Sequence, residues 1–331
     1  MTVLSLETRA VVALVSIGAV SAIATGIPAA QAGIAAEHTH QTLDPPDSTV
    51  ATPVADNGQC PEVAIIAARG SEQNFATIQQ RYAPNSPWES NGFEAENIAA
   101  GLHLAQQRHA AATGESLFHN VPVLALDEET YPADLYLPVI AERGSNPDAL
   151  EFSSNLVEIL QHTPPHTVAH EALAGVVDSV RSGINNAPGF VEDFEQATGC
   201  QPDYILFGYS QGSIVLSHLE KYLHDKDQLR GVVYIGNPQL GAGDPSTVGG
   251  PRVGNGLLAG SAVLPESLRP ELAPVSRINY CMADDFACDL SPQSAVAALR
   301  DEAGIHGDYF LIDYPHDAAV VDELAEWITH D

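Results

Sequence analysis

The sequence predicts an α/β fold, a three-layer sandwich whose central, mainly parallel β-sheet is flanked by helices on both faces. Three observations predict it. Runs such as Val63–Ala68 and Tyr204–Phe207 are apolar throughout, the pattern of strands buried on two faces rather than one. Between them lie longer stretches whose apolar residues recur at helical spacing. Strand-like and helix-like segments alternate along the chain, as they must where parallel strands are joined by crossovers.

In chain order, Val63–Ala68 is the first strand and is ended by Arg69-Gly70. Glu94–Thr113 is a helix, with Ile98, Leu102 and Ala105 on one face. Val121–Leu126 and Tyr204–Phe207 are the second and third strands, and Ser213–His224 is the helix after the third. Gly231–Gly236 and Arg277–Tyr280 are the fourth and fifth strands, and Val320–Ile328 is a closing helix. Two stretches depart from this alternation. Residues 134–170, which include "HTPPHTVAH", are expected to form a helical or irregular insertion. Residues 241–274, rich in Gly and Pro, are expected to form a long loop.

The 331 residues carry 13 Lys and Arg against 43 Asp and Glu, a net charge of −30, and the lysines are Lys221 and Lys226 alone. Such a surface repels phosphate backbones and anionic lipid head groups, which argues against nucleic acid as a partner. With 45% hydrophobic and 17% charged residues, the chain can bury a substantial core. From Ala10 to Ala30 no residue is charged, and Ala30-Gln31-Ala32 has the small-x-small pattern of a signal-peptidase site. Residues 1–32 are expected to be a signal peptide; Gly, Ser and Thr within the run disfavour a retained anchor. Residues 33–59 read as a flexible N-terminal tail, and 60–331 as one folded domain outside the cytoplasm.

Cys60, Cys200, Cys281 and Cys288 suit that compartment and permit three disulfide pairings. Cys281–Cys288, enclosing Met-Ala-Asp-Asp-Phe-Ala, is the simplest local bridge, which leaves Cys60–Cys200. In the chain-entropy model the short bridge stabilises by about 2.5 kcal/mol and the long one by up to about 5 kcal/mol. The seven-residue Cys spacing does not match a zinc knuckle.

Chemistry centres on "GYSQGS", residues 208–213. Ser210 follows the third strand and precedes a helix, at the carboxyl end of a parallel sheet where ligands sit. Gly208 and Gly212 allow a sharp strand-to-helix turn, and the helix N-terminus directs partial positive charge at the site. Ser210 is therefore a candidate nucleophile. A base and an orienting acid are expected downstream, in the order acid then His. Asp285 lies inside the Cys281–Cys288 loop after a strand, and His306 stands in "GIHGDYF". His316 is a rival base that immediately precedes the closing helix.

With these residues in place, the chain resembles the cutinase-like family of secreted serine esterases, which have an α/β-hydrolase fold. The resemblance rests on Cys60 before "ARGS", on Gly-Tyr-Ser-Gln-Gly at 208–212 and on Cys200 shortly before it. It rests also on the Cys-x-x-x-Asp-x-x-Cys box of Cys281, Asp285 and Cys288, and on His306-Gly-Asp-Tyr309. "YPA" at 131–133 is similar to a motif of bacterial members, and the match spans most of residues 60–328. It implies Ser210 as nucleophile, His306 as general base and Asp285 as its orienting acid. It further implies an oxyanion hole from the backbone N–H groups of Ser71 and Gln211 with the Ser71 hydroxyl. The segments from Ser71 to Cys200 and from Asp285 to His306 are longer than in small fungal members, which bears on how open the site is.

The expected function is hydrolysis of cutin-like, lipid or short acyl esters through an acyl-enzyme. The expected partner is a small-molecule or lipid ester, with no cofactor, no metal ion and a monomeric chain. The alternatives are acyl transfer to a sugar or lipid alcohol, and a non-catalytic cell-wall module. Among lesser candidates, His162, His166 and His170 have helical spacing, but Pro164 and Pro165 argue for a surface loop instead of a metal site. His218 and His224 are expected on a helix surface, Asp284 as a solvated carboxylate, and Arg69 as a structural residue bonding loop carbonyls.

Overall fold

The computed structural model describes residues 60–74, 77–135, 165–250, 254–259, 268–294 and 304–330. The expected signal peptide (1–32) and tail (33–59) lie outside the described residues, as do 136–164 of the first insertion and 251–253 and 260–267 of the second.

Six strands form one all-parallel sheet: β1 (Val63–Ala68), β2 (Val123–Ala125), β3 (Asp203–Tyr209), β4 (Leu229–Ile235), β5 (Thr247–Val248) and β6 (Ser276–Tyr280). Their spatial order is β2-β1-β3-β4-β6-β5, so β3 is central, paired with β1 from Val63↔Asp203 to Ala68↔Gly208. The helices are α1 (Ala95–Thr113), α2 (Pro165–Thr198), α3 (Gln211–Asp225) and α4 (Asp317–Thr329), with a 3₁₀ turn at Gly304–Asp308.

Strand side chains alternate between two cores. Ile65, Ala67, Ile205, Phe207, Val233 and Ile235 pack with Ile98 and Leu102 of α1 and with Val320, Val321 and Leu324 of α4. On the other face, Ile66, Leu206, Val232 and Tyr234 meet Val180, Val191 and Phe194 of α2 and Ile214, Leu219 and Leu223 of α3. These are the two helical layers. Ile205, Leu206 and Phe207 are wholly buried, and each such side chain stabilises by about 1.5–3 kcal/mol relative to leaving it in water. A buried ion pair, Arg277 with Glu220 at 2.6 Å, ties α3 to β6.

The expected elements agree with these spans to within a few residues. Two differences have physical causes. The 34-residue helix α2 begins at Pro165, so His166 and His170 lie on a helix and not in a surface loop. A proline in the first helical turn loses no hydrogen bond, because the first four amides have no intrahelical acceptor. His162 lies outside the described residues. The two-residue strand β5 sits in the Gly- and Pro-rich stretch, where composition hid it.

Candidate active site

One residue separates β3 from α3, and that residue is Ser210. It adopts φ 51° and ψ −119°, a conformation that costs about 1–3 kcal/mol and persists only where its surroundings enforce it. They do so here. The Ser210 N–H donates to Ile235 O at 2.9 Å, and its carbonyl accepts from the Ser213 N–H at 3.0 Å. A Cβ on Gly212 would lie 2.1 Å from Ala68 O, and one on Gly208 would lie 2.7 Å from Ser213 Cα. Both glycines are thus demanded by close backbone approach.

The 3₁₀ turn carries His306, with Nε2 3.0 Å from Ser210 Oγ. On its other side Nδ1 lies 2.9 Å from both oxygens of Asp285. The ring is packed by Tyr209, Phe286 and Tyr309, and the Tyr209 hydroxyl donates to the His306 carbonyl at 2.7 Å. Asp285 is fully buried. It accepts from the Ala287 N–H at 2.8 Å and from the Tyr309 hydroxyl at 2.6 Å, so the carboxylate has donors in place of lost water. Tyr309 also accepts from the Met282 N–H at 3.1 Å. Burial, reinforced by the adjacent Asp285 charge, pushes the Tyr309 hydroxyl well above its ordinary value, which keeps it a donor.

Both disulfides form, Cys60–Cys200 and Cys281–Cys288. The second closes the loop that holds Asp285. Asp284 is exposed beside it, and His316 is exposed at the start of α4; the base hydrogen-bonded to Ser210 is His306. His224 is exposed as expected, whereas His218 is half-buried and burial lowers its pKa.

Ser71 follows β1 and faces the start of α3. Its hydroxyl donates to Gln211 Oε1 at 3.2 Å, and the Tyr131 hydroxyl donates to the same oxygen at 3.0 Å. The Gln211 amide group donates to Asp134 O and Val176 O, each at 3.3 Å. Among the described residues the backbone amides of Ser71 and Gln211 have no backbone acceptor, while the Glu72 N–H donates to Ala133 O at 2.7 Å. Arg69 is wholly buried behind the turn. It donates to Leu126 O at 2.6 Å, Tyr131 O at 2.8 Å and Asn74 Oδ1 at 2.6 Å, which is the loop-bonding role expected from the sequence. Burial lowers its pKa.

Ser210, His306 and Asp285 thus come together in one hydrogen-bonded line, with Ser71 and Gln211 at its Ser210 end. Sequence reasoning missed Gly236, whose Cα abuts the His306 ring, and the supports from Tyr209 and Tyr309. The x-x-Tyr after His306 was the available signal for Tyr309; nothing in the sequence pointed to Tyr209 or Gly236. Among the described residues no group of three or more His, Cys, Asp or Glu could hold a metal ion, and no helix is long and apolar enough to cross a membrane. A cavity of about 220 Å³ lined by Ser217, Tyr234, Asn237, Arg269, Arg277 and Asn279 lies off the triad, none of whose members lines it.

No protein-family model matches the sequence, and no curated protein matches it. Among solved structures, the chain is similar to an iodinated acetyl xylan esterase at 15% identity, covering 82% of this chain and all of that one, with a TM-score of 0.45. It is similar to the catalytic core domain of acetyl xylan esterase from Trichoderma reesei at 16% identity, covering 80% and 99% of the two chains, with a TM-score of 0.42. A cutinase-like protein from Cryptococcus sp. matches at 17% identity over 81% of this chain and 93% of its own, with a TM-score of 0.36.

Proposed function

We propose that the chain is a secreted serine esterase that hydrolyses carboxylic esters through an acyl-enzyme. The observation that carries this reading is the unbroken line from Ser210 Oγ through His306 to buried Asp285, at 3.0 and 2.9 Å. Serine is a weak nucleophile unless a base removes its proton in the attack.

In the first half-reaction His306 Nε2 takes the Ser210 proton as Oγ bonds to the ester carbonyl carbon. Asp285 accepts the Nδ1–H, fixes the tautomer and stabilises the imidazolium. The carbonyl oxygen, now an anion, meets the amides of Ser71 and Gln211 and, after rotation away from Gln211 Oε1, the Ser71 hydroxyl. The carbon–oxygen ester bond then breaks, and the alcohol leaves with the proton from His306. In the second half-reaction water repeats the sequence on the acyl-enzyme: His306 takes its proton, the acid forms, and Ser210 recovers its hydrogen.

Export is part of the proposal: the uncharged run Ala10–Ala30 supplies a leader, and two disulfides among the described residues suit an oxidising compartment. Cutin-like, lipid and short acyl esters all fit this chemistry. The deciding experiment is labelling with a fluorophosphonate followed by peptide mapping. Stoichiometric modification of Ser210, lost in Ser210→Ala, is expected. A folded sample that takes up no label would overturn the reading. A series of p-nitrophenyl esters of increasing acyl length then ranks the substrates.

A further inference from the structure

Two side-chain amides connect the Ser71 turn to the His306 turn, which lie more than 200 residues apart in sequence. The Gly70 N–H donates to Gln73 Oε1 at 2.9 Å, and the Gln73 N–H reaches back to Gly70 O at 3.4 Å. Gln73 therefore brackets Gly70 from both sides. The Gly70 carbonyl shares a peptide plane with the Ser71 N–H, so holding that carbonyl sets the direction in which the Ser71 N–H points. Gln73 Nε2 in turn donates to Asn97 Oδ1 at 2.8 Å. Asn97 Nδ2 donates to Gly307 O and Tyr309 O, each at 3.0 Å, on either side of the residue that follows the base by two.

Asn97 is wholly buried in the first turn of α1, a helix anchored in the core by Ile98 and Leu102. Every hydrogen-bonding group of its amide that the relay uses is aimed at a turn of the site and is shielded from competing water. Neither the Gln73 nor the Asn97 side chain hydrogen-bonds to Ser210, His306 or Asp285, so neither is placed to carry a proton in the reaction.

We propose that Gln73 and Asn97 form a positioning bridge that refers the Ser71 amide and the His306 turn to one rigid helix, keeping oxyanion donor and base in register. This rests on the esterase reading for its consequence, but the bridge itself is a structural claim. Displacing a catalytic group by about 1 Å costs up to about a hundred-fold in rate. Two turns held by separate supports would drift independently, whereas two turns held by one helix move together.

The test uses the full chain with Asn97→Ala, Gln73→Glu and the Asn97→Ala/Gln73→Glu double variant. Gln73→Glu keeps the acceptor for the Gly70 N–H and removes the donor to Asn97, at a half-buried position that tolerates change if Asn97→Ala folds poorly. Amide hydrogen exchange by mass spectrometry reads the bridge without reference to activity. Asn97→Ala is expected to quicken exchange several-fold both at Gly304–Asp308 and at Gly70, and Gln73→Glu to quicken it at Gly304–Asp308. Faster exchange confined in each variant to the turn that its own residue touches overturns the bridge. Turnover of p-nitrophenyl butyrate reads the consequence. Asn97→Ala is expected to lower kcat about ten- to a hundred-fold with KM held within about two-fold, and its loss is expected to overlap with that of Gln73→Glu, its partner in the relay. Strictly additive losses mean independent supports and overturn the bridge. If the unmodified chain neither turns over the ester nor takes up a fluorophosphonate, the esterase reading fails, and the exchange data alone decide on the bridge.

Discussion

The Cα of Gly236 stands so close to His306 that an added Cβ would fall 2.6 Å from Cε1 and 2.9 Å from Nδ1 of the ring. The residue follows β4 at φ +58°, so an L side chain there meets a strained backbone as well as the imidazole. Gly236→Ala is expected to push the ring off the line between Ser210 and Asp285. The expected loss in kcat is about a hundred-fold, against a stability cost of about 1–2 kcal/mol from the backbone. Ester turnover compared with a denaturant melt checks it; unchanged turnover would mean that the ring yields without losing its alignment.

Ser71→Ala and Ser210→Ala are expected to differ in depth. Removing one oxyanion donor typically lowers turnover by about 10²–10³, and Ser71 keeps its backbone N–H when its hydroxyl is gone. In the proposed mechanism Ser210→Ala removes the atom that forms the acyl-enzyme. Residual activity measured at high enzyme concentration separates the two, and equal losses with folding intact would contradict the division of roles.

Tyr309→Phe deletes the donor at 2.6 Å from Asp285 Oδ2 and leaves the Met282 N–H without its acceptor. Hydrogen bonds to charged groups contribute about 1.5–3 kcal/mol, so a loss of stability of that order is expected. Because the carboxylate also orients His306, kcat is expected to fall with KM little changed. Steady-state kinetics on one ester, alongside thermal melts, provide the check.

Alkaline pH is expected to destabilise the fold. Burial, joined by neighbouring carboxylates, raises Tyr82, Tyr209, Tyr234 and Tyr309 well above the ordinary 10.0. In the window between the unfolded and folded values the folded chain binds more protons than the unfolded one. Stability is then complete below about pH 10 and declines as pH rises further. Urea melts from pH 8 to 11 are expected to show falling midpoints only above about pH 10.

The two disulfides are expected to fail differently when each is replaced by a pair of serines. Cys281→Ser/Cys288→Ser opens a seven-residue separation around Asp285 and is expected to lower kcat more than it lowers stability, about 2.5 kcal/mol. Cys60→Ser/Cys200→Ser opens a separation of 140 residues far from the triad. It is expected to cost up to about 5 kcal/mol of stability while the remaining folded fraction keeps its kcat. Melts and kinetics on both pairs test the contrast.

The layered architecture was legible because parallel strands buried on both faces are written as unbroken apolar runs, as Ala64–Ala68 and Ile205–Phe207 are. The central residues of the site were legible because each sits beside a local constraint: Gly208 and Gly212 around Ser210, and two cysteines around Asp285. What stayed hidden depends on approach in space. Gly236 looks like any glycine at a strand end until His306 is brought against it from 70 residues downstream. Asn97 reads as an ordinary polar residue in a helix, and its partners Gly307 and Tyr309 lie more than 200 positions away. Helix α2 was concealed by chemistry of the opposite kind, since Pro165 reads as a breaker unless it happens to occupy a first turn.

Cys60 and Cys200 each stand three residues before a strand, and those strands, β1 and β3, pair from Val63↔Asp203 onward. This ladder joins β1 to central β3 and is the sheet's most distant neighbour contact in sequence, so an open chain must search a large loop before β1 finds its place. A chain oxidised between these cysteines starts that search with the two strands already side by side and in parallel. The strained turn at Ser210 leans on both sides of that seam, with the Ser210 N–H on Ile235 O of β4 and Gly212 against Ala68 O of β1, so a bridge that holds β1 beside β3 also holds one wall of the turn.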